Sequence, residues 1–441
     1  MVLSDNHGIN EVVNNMNLYK TIEAMLNADK PHISMHVPGH KNNTIGCLSM
    51  FDARFDMTET DGLDDLHEPD GVLKNINMNL SLKYPGYTAQ MMVNGTTNGV
   101  LSAVFAMKSM TDRFIVVDDV HKSVYHALKL SEVYYIEASS ADLSDFETGP
   151  GDTFIVTYPT YTGDVMDIDK FISFAHEHGA RVITDEAHGA HFDIAPGFPV
   201  SSMTYGSDIT IQSYHKMLPA LTMASVIFTK SVSVHREVMK YINWFETSSP
   251  SYLVMLSIES AHEFYKTYHA ECFFAKRTKL IEALRRENII VSEKADPAKF
   301  MISHPGFSPY EFAKILTDQH HIHHEMVTDD GILWCLPLFH KGDRYPFDTL
   351  LKRIGEIELE QDQSAYKGRN TGSTPALTEI GKLLGRVCCR SIVPYPPGVP
   401  LVHEGETITR EHIKRITHDM YNHVRIEGIR HNIEYYKNEE S

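Results

Sequence analysis

Lys216 lies in the run Ser213-Tyr214-His215-Lys216-Met217-Leu218-Pro219-Ala220-Leu221-Thr222, directly after a predicted strand. Upstream, the apolar run Val182-Ile183-Thr184 ends in Asp185 and continues as Glu186-Ala187-His188-Gly189. A lysine and an aspartate on neighbouring strand ends suit one cofactor, pyridoxal phosphate. The lysine amine condenses with the cofactor's aldehyde. The aspartate keeps the pyridine nitrogen protonated, so the ring can accept electrons. Few other chemistries need that pair.

Three further groups of residues bear on the same chemistry. Gly95-Thr96-Thr97-Asn98-Gly99 precedes an apolar run, Val100 to Met107, that is predicted to be a helix. Amides at a helix N-terminus together with two hydroxyls form an anion cradle, and phosphate is its natural ligand. The same residues also make an ordinary helix cap. His121-Lys122-Ser123 follows a strand that ends in Asp118-Asp119. A histidine there can lie flat on a cofactor ring, or it is simply a loop histidine. His215 either orders the phosphate, donates a proton or packs beside Lys216. The run His320-His321-Ile322-His323-His324-Glu325 would put His321, His323 and Glu325 on one face of a strand. No fourth ligand follows from the spacing, so no metal is expected.

The elements that must hold these residues read as an α/β protein. Short β-branched runs at Phe114–Val117, Phe154–Thr157, Arg181–Thr184, Asp208–Gln212 and Val226–Thr229 alternate with helical patterns such as Ile168–His178. That alternation predicts a mostly parallel sheet, with ligands at the carboxyl ends of its strands. One long helical stretch is predicted from Ser251 to about Glu287. A small α+β unit follows, with strands at Lys299–Ser303, Ile322–Val327 and Ile332–Leu336 and a helix from Pro309 to about His320. Residues 1–30 carry a helical pattern, Pro31 to Lys41 read as a loop, and Gln361 to Pro375 read as a polar linker. The expected division is an N-terminal segment (1–40), a large domain (41–290), a small α+β domain (291–360) and a C-terminal domain (361–441) with a charged helix from about Arg410.

Composition sets the remaining bounds. A chain of 441 residues exceeds one ordinary core. Its net charge of −18 argues against nucleic acid and anionic membranes as partners. Five scattered cysteines, with no CxxC, suggest a reducing, cytoplasmic setting. Adjacent Cys388 and Cys389 read as apolar filler. Met1 to Asn15 lack an apolar signal core, and no apolar run approaches the ~20 residues of a membrane span.

Taken in order, these motifs resemble the fold-type-I ornithine/lysine/arginine decarboxylases in a short bacterial form. The resemblance rests on His36-Val37-Pro38-Gly39-His40-Lys41, Gly95-Thr96-Thr97, His121-Lys122-Ser123, Asp185 to Gly189, Ser213 to Thr222 and Thr247-Ser248-Ser249-Pro250. Pro394-Tyr395-Pro396-Pro397-Gly398-Val399-Pro400 with Gly405-Glu406 completes it. The resemblance implies the aspartate-aminotransferase fold for the large domain and decarboxylation of arginine, lysine or ornithine, as in polyamine biosynthesis. It implies that Lys216 carries the cofactor, Asp185 pairs with the pyridinium nitrogen and His121 stacks on the ring. Thr96, Thr97, Ser213 and His215 would surround the phosphate, with Ala187 and His188 also in the cofactor-binding set. Thr247 or Ser248 would reach the phosphate of a neighbouring subunit, giving a homodimer, or an assembly of dimers, with shared active sites. The chain departs from the family at Asp118-Asp119-Val120, where Arg-Asn is frequent, and at Val100, where a polar Asn is common.

Two other functions fit the same residues. One is aminotransfer or a lyase step on another amino acid. The other is a cofactor-binding, non-catalytic partner, against which the retention of both Lys216 and Asp185 speaks. Ser249 before Pro250 would also satisfy a plain helix cap.

Overall fold

A strand that is apolar on both faces is stable only between two covering layers. Phe114 to Val117 are fully buried, and their alternate residues enter two different cores. Phe114 and Val116 pack with Ile155, Ile183 and Val104, whereas Ile115 and Val117 pack with Phe154, Val182 and Phe171. The period-two pattern therefore specifies a sheet sandwiched by helices.

The computed structural model describes residues 33–36, 38–41, 43–47, 55–59, 63–141, 146–357 and 377–439. The pattern at 1–30 and the linker at 361–375 lie outside these residues. The first part of the chain comprises β1 (Ile33–Met35), α1 (Val72–Ser81), β2 (Thr88–Met92), α2 (Gly95–Met107), β3 (Arg113–Val117), α3 (Lys122–Leu130), β4 (Tyr135–Ala138) and β5 (Asp152–Thr157). It continues with α4 (Ile168–Glu177), β6 (Arg181–Asp185), α5 (Ser202–Tyr205), β7 (Ile209–Gln212), α6 (Tyr214–Met217), β8 (Ser225–Thr229), α7 (Val232–Phe245), α8 (Tyr252–Lys266) and α9 (Glu271–Arg286). Seven strands form one sheet in the order β2-β8-β7-β6-β5-β3-β4. Only β8 runs against its neighbours.

Beyond it lie β9 (Ile290–Glu293), β10 (Lys299–Ser303), α10 (Pro309–Asp318), β11 (Ile322–His324), β12 (Met326–Thr328), β13 (Gly331–Cys335) and α11 (Phe347–Gly355). β12-β13-β10-β9 form an antiparallel sheet. The last part holds α12 (Leu377–Gly381), β14 (Val393–Tyr395), α13 (Arg410–Tyr421), β15 (Arg425–Glu427) and α14 (Ile429–Glu439), around a core of its own that includes Ile392, Val402, Ile408 and Ile416.

This is the mostly parallel α/β fold that the alternation predicts, with a smaller α+β unit beside it. Several local expectations are corrected. The stretch from Ser251 to Glu287 is two helices. Thr267 turns its hydroxyl back to the Glu263 carbonyl (2.8 Å), and Tyr268 is drawn inward to donate to the Phe339 carbonyl (3.0 Å). The N-cap of α8 is Ser251, so Ser249 and Pro250 precede it and do not cap it. The strand expected over Ile322–Val327 breaks at Glu325. β11 pairs in parallel with β1, while β12 joins the antiparallel sheet. His321 has φ +51° and lies outside β11, so His321, His323 and Glu325 do not share a strand face. The segment expected to be a loop from Pro31 to Lys41 contains β1. Helix α2 begins at Gly95, not at Val100, so the Gly-Thr-Thr run is its first turn. Strands β2 and β4 had no predicted counterpart.

The segment after β1 packs against the lysine loop. Gly39 donates to the His215 carbonyl (2.8 Å), and a Cβ on Gly39 would stand 2.6 Å from the Leu218 carbonyl oxygen. Only a residue without a side chain permits that approach. Gly39→Ala is therefore expected to lower the unfolding free energy by about 1–3 kcal/mol, the usual cost of overpacking, as measured by urea denaturation. An unchanged midpoint would show that this contact does not hold the loop.

Candidate active site

A parallel sheet presents its loops at the carboxyl ends of its strands. In register, Thr157 of β5 faces Asp185 of β6, and Asp185 faces Ile211 of β7. The residues after β3, β5, β6 and β7 therefore converge. They line a cavity of about 500 Å³, to which Thr96, His121, Asp185, Ala187, His188 and Lys216 all contribute. Six of the sequence-predicted site residues are thus brought together.

The remaining five are placed differently. Ser213 is fully buried, and its Oγ has no hydrogen-bond partner among the described residues. His215 places Nδ1 3.2 Å from the Ala224 carbonyl. Thr97 is exposed beside Thr96. Thr247 and Ser248 are exposed and do not line the cavity.

The electrostatics follow from burial. The Lys216 amine loses water, which lowers its proton affinity, and Asp185 and Glu325 oppose that shift. Burial raises the pKa of Asp185, against the pull of Lys216 and of the Ala187 amide, which donates to Oδ1 at 3.1 Å. His188 sets Nε2 3.1 Å from Lys216 Nζ. Its Nδ1 is buried without a partner among the described residues, and burial, then Lys216, hold its pKa well below the usual histidine value. The His188 ring also lies 4.5 Å from that of Tyr161, whose hydroxyl donates to Glu325 Oε1 (2.6 Å).

His121 is the N-cap of α3. Its Nδ1 accepts from the Ser123 amide (3.2 Å) and lies 2.8 Å from Ser123 Oγ, which fixes the ring. The C-terminal unit covers the other edge. A Cβ on Gly398 would lie 2.9 Å from His121 Cδ2, and the Gly398 carbonyl accepts from the Lys122 amide (2.9 Å). Lys122 also pairs with Glu427 at 2.5 Å. Burial first, then Lys216 and Lys122, bring His121 to about 4.

Sequence reasoning missed part of the wall. Tyr161, Thr160, Thr162 and Asp164 follow β5, whose carboxyl end adjoins that of β6, so the strand-end rule could have found them. Met326 and Thr328 come from β12, Pro397 and Val399 from the C-terminal unit, and Arg415 from α13. No local pattern marks these. Among the described residues, no group of three His, Cys, Asp or Glu is placed to hold a metal. None of the helices described there is long and apolar enough to cross a membrane.

The residues present fit pyridoxal phosphate. A buried lysine amine, a buried carboxylate and a ring fixed by its own cap face one cavity. The first-turn amides of α2 and the orphaned Ser213 hydroxyl are suited to an anion.

One consequence of the burial of His121 concerns acid. The ordinary histidine value is 6.5 and that of His121 in the folded chain is about 4. Below 6.5 the unfolded chain takes up a proton that the folded chain refuses. This contribution to stability is present above 6.5 and is lost as the pH falls towards 4. In the cofactor-free protein, His121→Asn should lessen the decline in unfolding free energy over that window, by about 3 kcal/mol at full titration. Identical declines in both proteins would contradict the buried, neutral state.

The model for the major domain of Orn/Lys/Arg decarboxylases matches residues 18–147 and 142–303, and that for their C-terminal domain matches 355–424. The chain is 32% identical to the uncharacterized protein YaaO of Bacillus subtilis (strain 168), over 91% of this chain and 94% of the relative. It is 26% identical to the arginine decarboxylase of the same organism, over 88% and 91%. The Escherichia coli constitutive lysine decarboxylase superposes with a TM-score of 0.65 at 16% identity, covering 95% of this chain and 81% of that one. The chain belongs to the Orn/Lys/Arg decarboxylase family, pyridoxal-phosphate enzymes of fold type I that act on basic amino acids.

Proposed function

We propose that the protein decarboxylates L-arginine to agmatine and carbon dioxide, with Lys216 and Asp185 as the residues that engage the cofactor. The observation that carries this reading is the composition of one cavity. Lys216, Asp185 and His121 line it together with three further carboxylates, those of Asp118, Asp119 and Asp164. A carboxylate accepts a guanidinium through two parallel hydrogen bonds, which favours arginine over an ammonium of similar reach. The relative named arginine decarboxylase supports the same choice.

The bound cofactor supplies an electron-withdrawing ring for the pair released when the bond from Cα to the carboxylate breaks. The chain's own residues do the rest. Burial favours a neutral Lys216 amine, the form able to attack a carbonyl. Asp185 would hold the proton on the pyridine nitrogen, its ionised form favoured by the pyridinium it pairs with. His121, kept neutral, would cover the ring face without adding charge. Thr96, Thr97, Ser213 and His215 would hold the phosphate, beside Ala187 and His188. Loss of carbon dioxide leaves Cα one proton short. The Lys216 amine would return that proton, with His188, in contact with its Nζ, orienting it.

A homodimer completes the proposal. Thr247 and Ser248 are exposed, apart from their own chain's cavity, and so available to a second copy. None of the five cysteines forms a disulfide among the described residues, which supports a reducing, cytoplasmic setting.

The test is product analysis of the cofactor-loaded protein with L-arginine, L-lysine and L-ornithine. Agmatine is expected to dominate. Asp185→Asn should keep the cofactor yet lose at least about 100-fold in turnover, since an amide cannot stabilise the charge that develops. Cadaverine or putrescine as the main product would overturn the choice of arginine. Near-normal turnover in Asp185→Asn would remove that residue from its role.

A further inference from the structure

Among the described lining residues, only Lys216 and Arg415 carry a lysine or arginine cation. Lys216 is committed to the cofactor. The other charged walls are carboxylates, which suit the distal cation of a basic amino acid and repel its α-carboxylate. Arg415 is what remains to receive that carboxylate.

Its geometry supports this. Arg415 rises from α13, and its guanidinium is held at two of its three nitrogens. Nη1 donates to Asp329 Oδ2 (3.0 Å), and Nε lies 2.9 Å from Asp419 Oδ1, on a side chain only 1% exposed. Asp329 is itself held by His418 (2.7 Å) and the Tyr310 hydroxyl (3.2 Å). Nη2 has no partner among the described residues. Asp329 follows Thr328, which lines the same cavity, so the anchoring carboxylate and the cavity wall belong to one turn. A planar guanidinium held at two nitrogens keeps the third, Nη2, to donate to a second carboxylate.

We propose that Arg415 binds the substrate's α-carboxylate and so selects amino acids over the amines they yield. This rests on the decarboxylase reading above. The two aspartates bear on why such a contact is compatible with the reaction. A lone arginine would stabilise the carboxylate and oppose its departure as neutral carbon dioxide. Arg415 already has two counter-charges, which moderate its hold on the carboxylate while leaving its direction. An ion pair that merely joined α13 to the turn after β12 would serve equally well away from the cavity.

The test compares ligands that differ only in the carboxylate. L-Arginine and agmatine are titrated by visible absorption into cofactor-loaded Lys216→Ala protein, which cannot return the lysine amine, with and without Arg415→Gln. KM and kcat for L-arginine are measured for Arg415→Gln with Lys216 intact. Arg415→Gln should weaken L-arginine at least about tenfold while agmatine stays within about twofold. KM should rise with the same factor, and Arg415→Lys should restore part of the loss. Equal losses for both ligands, or no loss for either, would overturn the proposal. Thermal unfolding of each variant identifies one that fails to fold. In that case Arg415→Lys, which keeps the charge between Asp329 and Asp419, carries the comparison, with a loss confined to L-arginine supporting the proposal and any other pattern overturning it. A wild-type protein that decarboxylates none of the three basic amino acids would sink the functional reading itself, a result separate from any ratio between ligand and variant.

Discussion

The structure depends on holding a buried lysine amine and a buried carboxylate at adjacent strand ends. Each charge alone would be costly in a site stripped of water, and together they offset part of that cost. Their spacing comes from the sheet. Asp185 closes β6 in register with Ile211 of β7, and the Glu186 amide bonds back to the Ile211 carbonyl (2.9 Å). One residue on, the side chain of Glu186 accepts from Gln212 Nε2 (2.6 Å), which ties the two strand ends below the cavity. Glu186 is fully buried and further satisfied by Ser201 and Ser202. Gln212 Oε1 in turn accepts from Lys83, whose ammonium lies 4.0 Å from the centre of the Tyr265 ring. The buried pair thus stands on a second polar layer.

The walls come from parts of the chain far apart in sequence. The turn after β5 brings Tyr161 against His188. The smaller sheet supplies Glu325 at the point where its strand is interrupted, and the Tyr161 hydroxyl reaches that carboxylate. The buried Lys41 amine reaches the Cys335 carbonyl (2.9 Å), joining the segment after β1 to the end of β13. Gly398 closes on His121 from the C-terminal unit. A site assembled this way is complete only when the large sheet, the smaller sheet and the C-terminal unit are all packed.

What could be read from the sequence follows the same division. β3, β5, β6, β7 and β8 were legible because apolar, largely β-branched runs have few alternatives to a strand covered on both faces. β2 was not, because Thr88-Ala89-Gln90-Met91-Met92 buries a glutamine. That choice makes sense only with Asn77 of α1 donating to it (2.8 Å). β4 is a partly exposed edge strand without a clear period. The start of α2 was misplaced because Asn94 makes no side-chain cap and two glycines occupy its first five positions. Instead, Glu246, distant in sequence, caps the amides of Val93 and Asn94. Lys216, Asp185, His121 and Thr96 were legible because their chemistry is local to strand ends. Tyr161 and Arg415 reach the cavity only through tertiary packing, and no spacing rule connects residue 415 to a strand end at 185.

The central claim is that Lys216 is the residue to which the cofactor is attached. Borohydride reduction of the cofactor-loaded protein, followed by peptide mapping, tests it most directly. The account predicts a pyridoxyl group on the peptide containing Ser213 to Thr222, at Lys216. A pyridoxyl group on Lys41, Lys299 or any other lysine would contradict it.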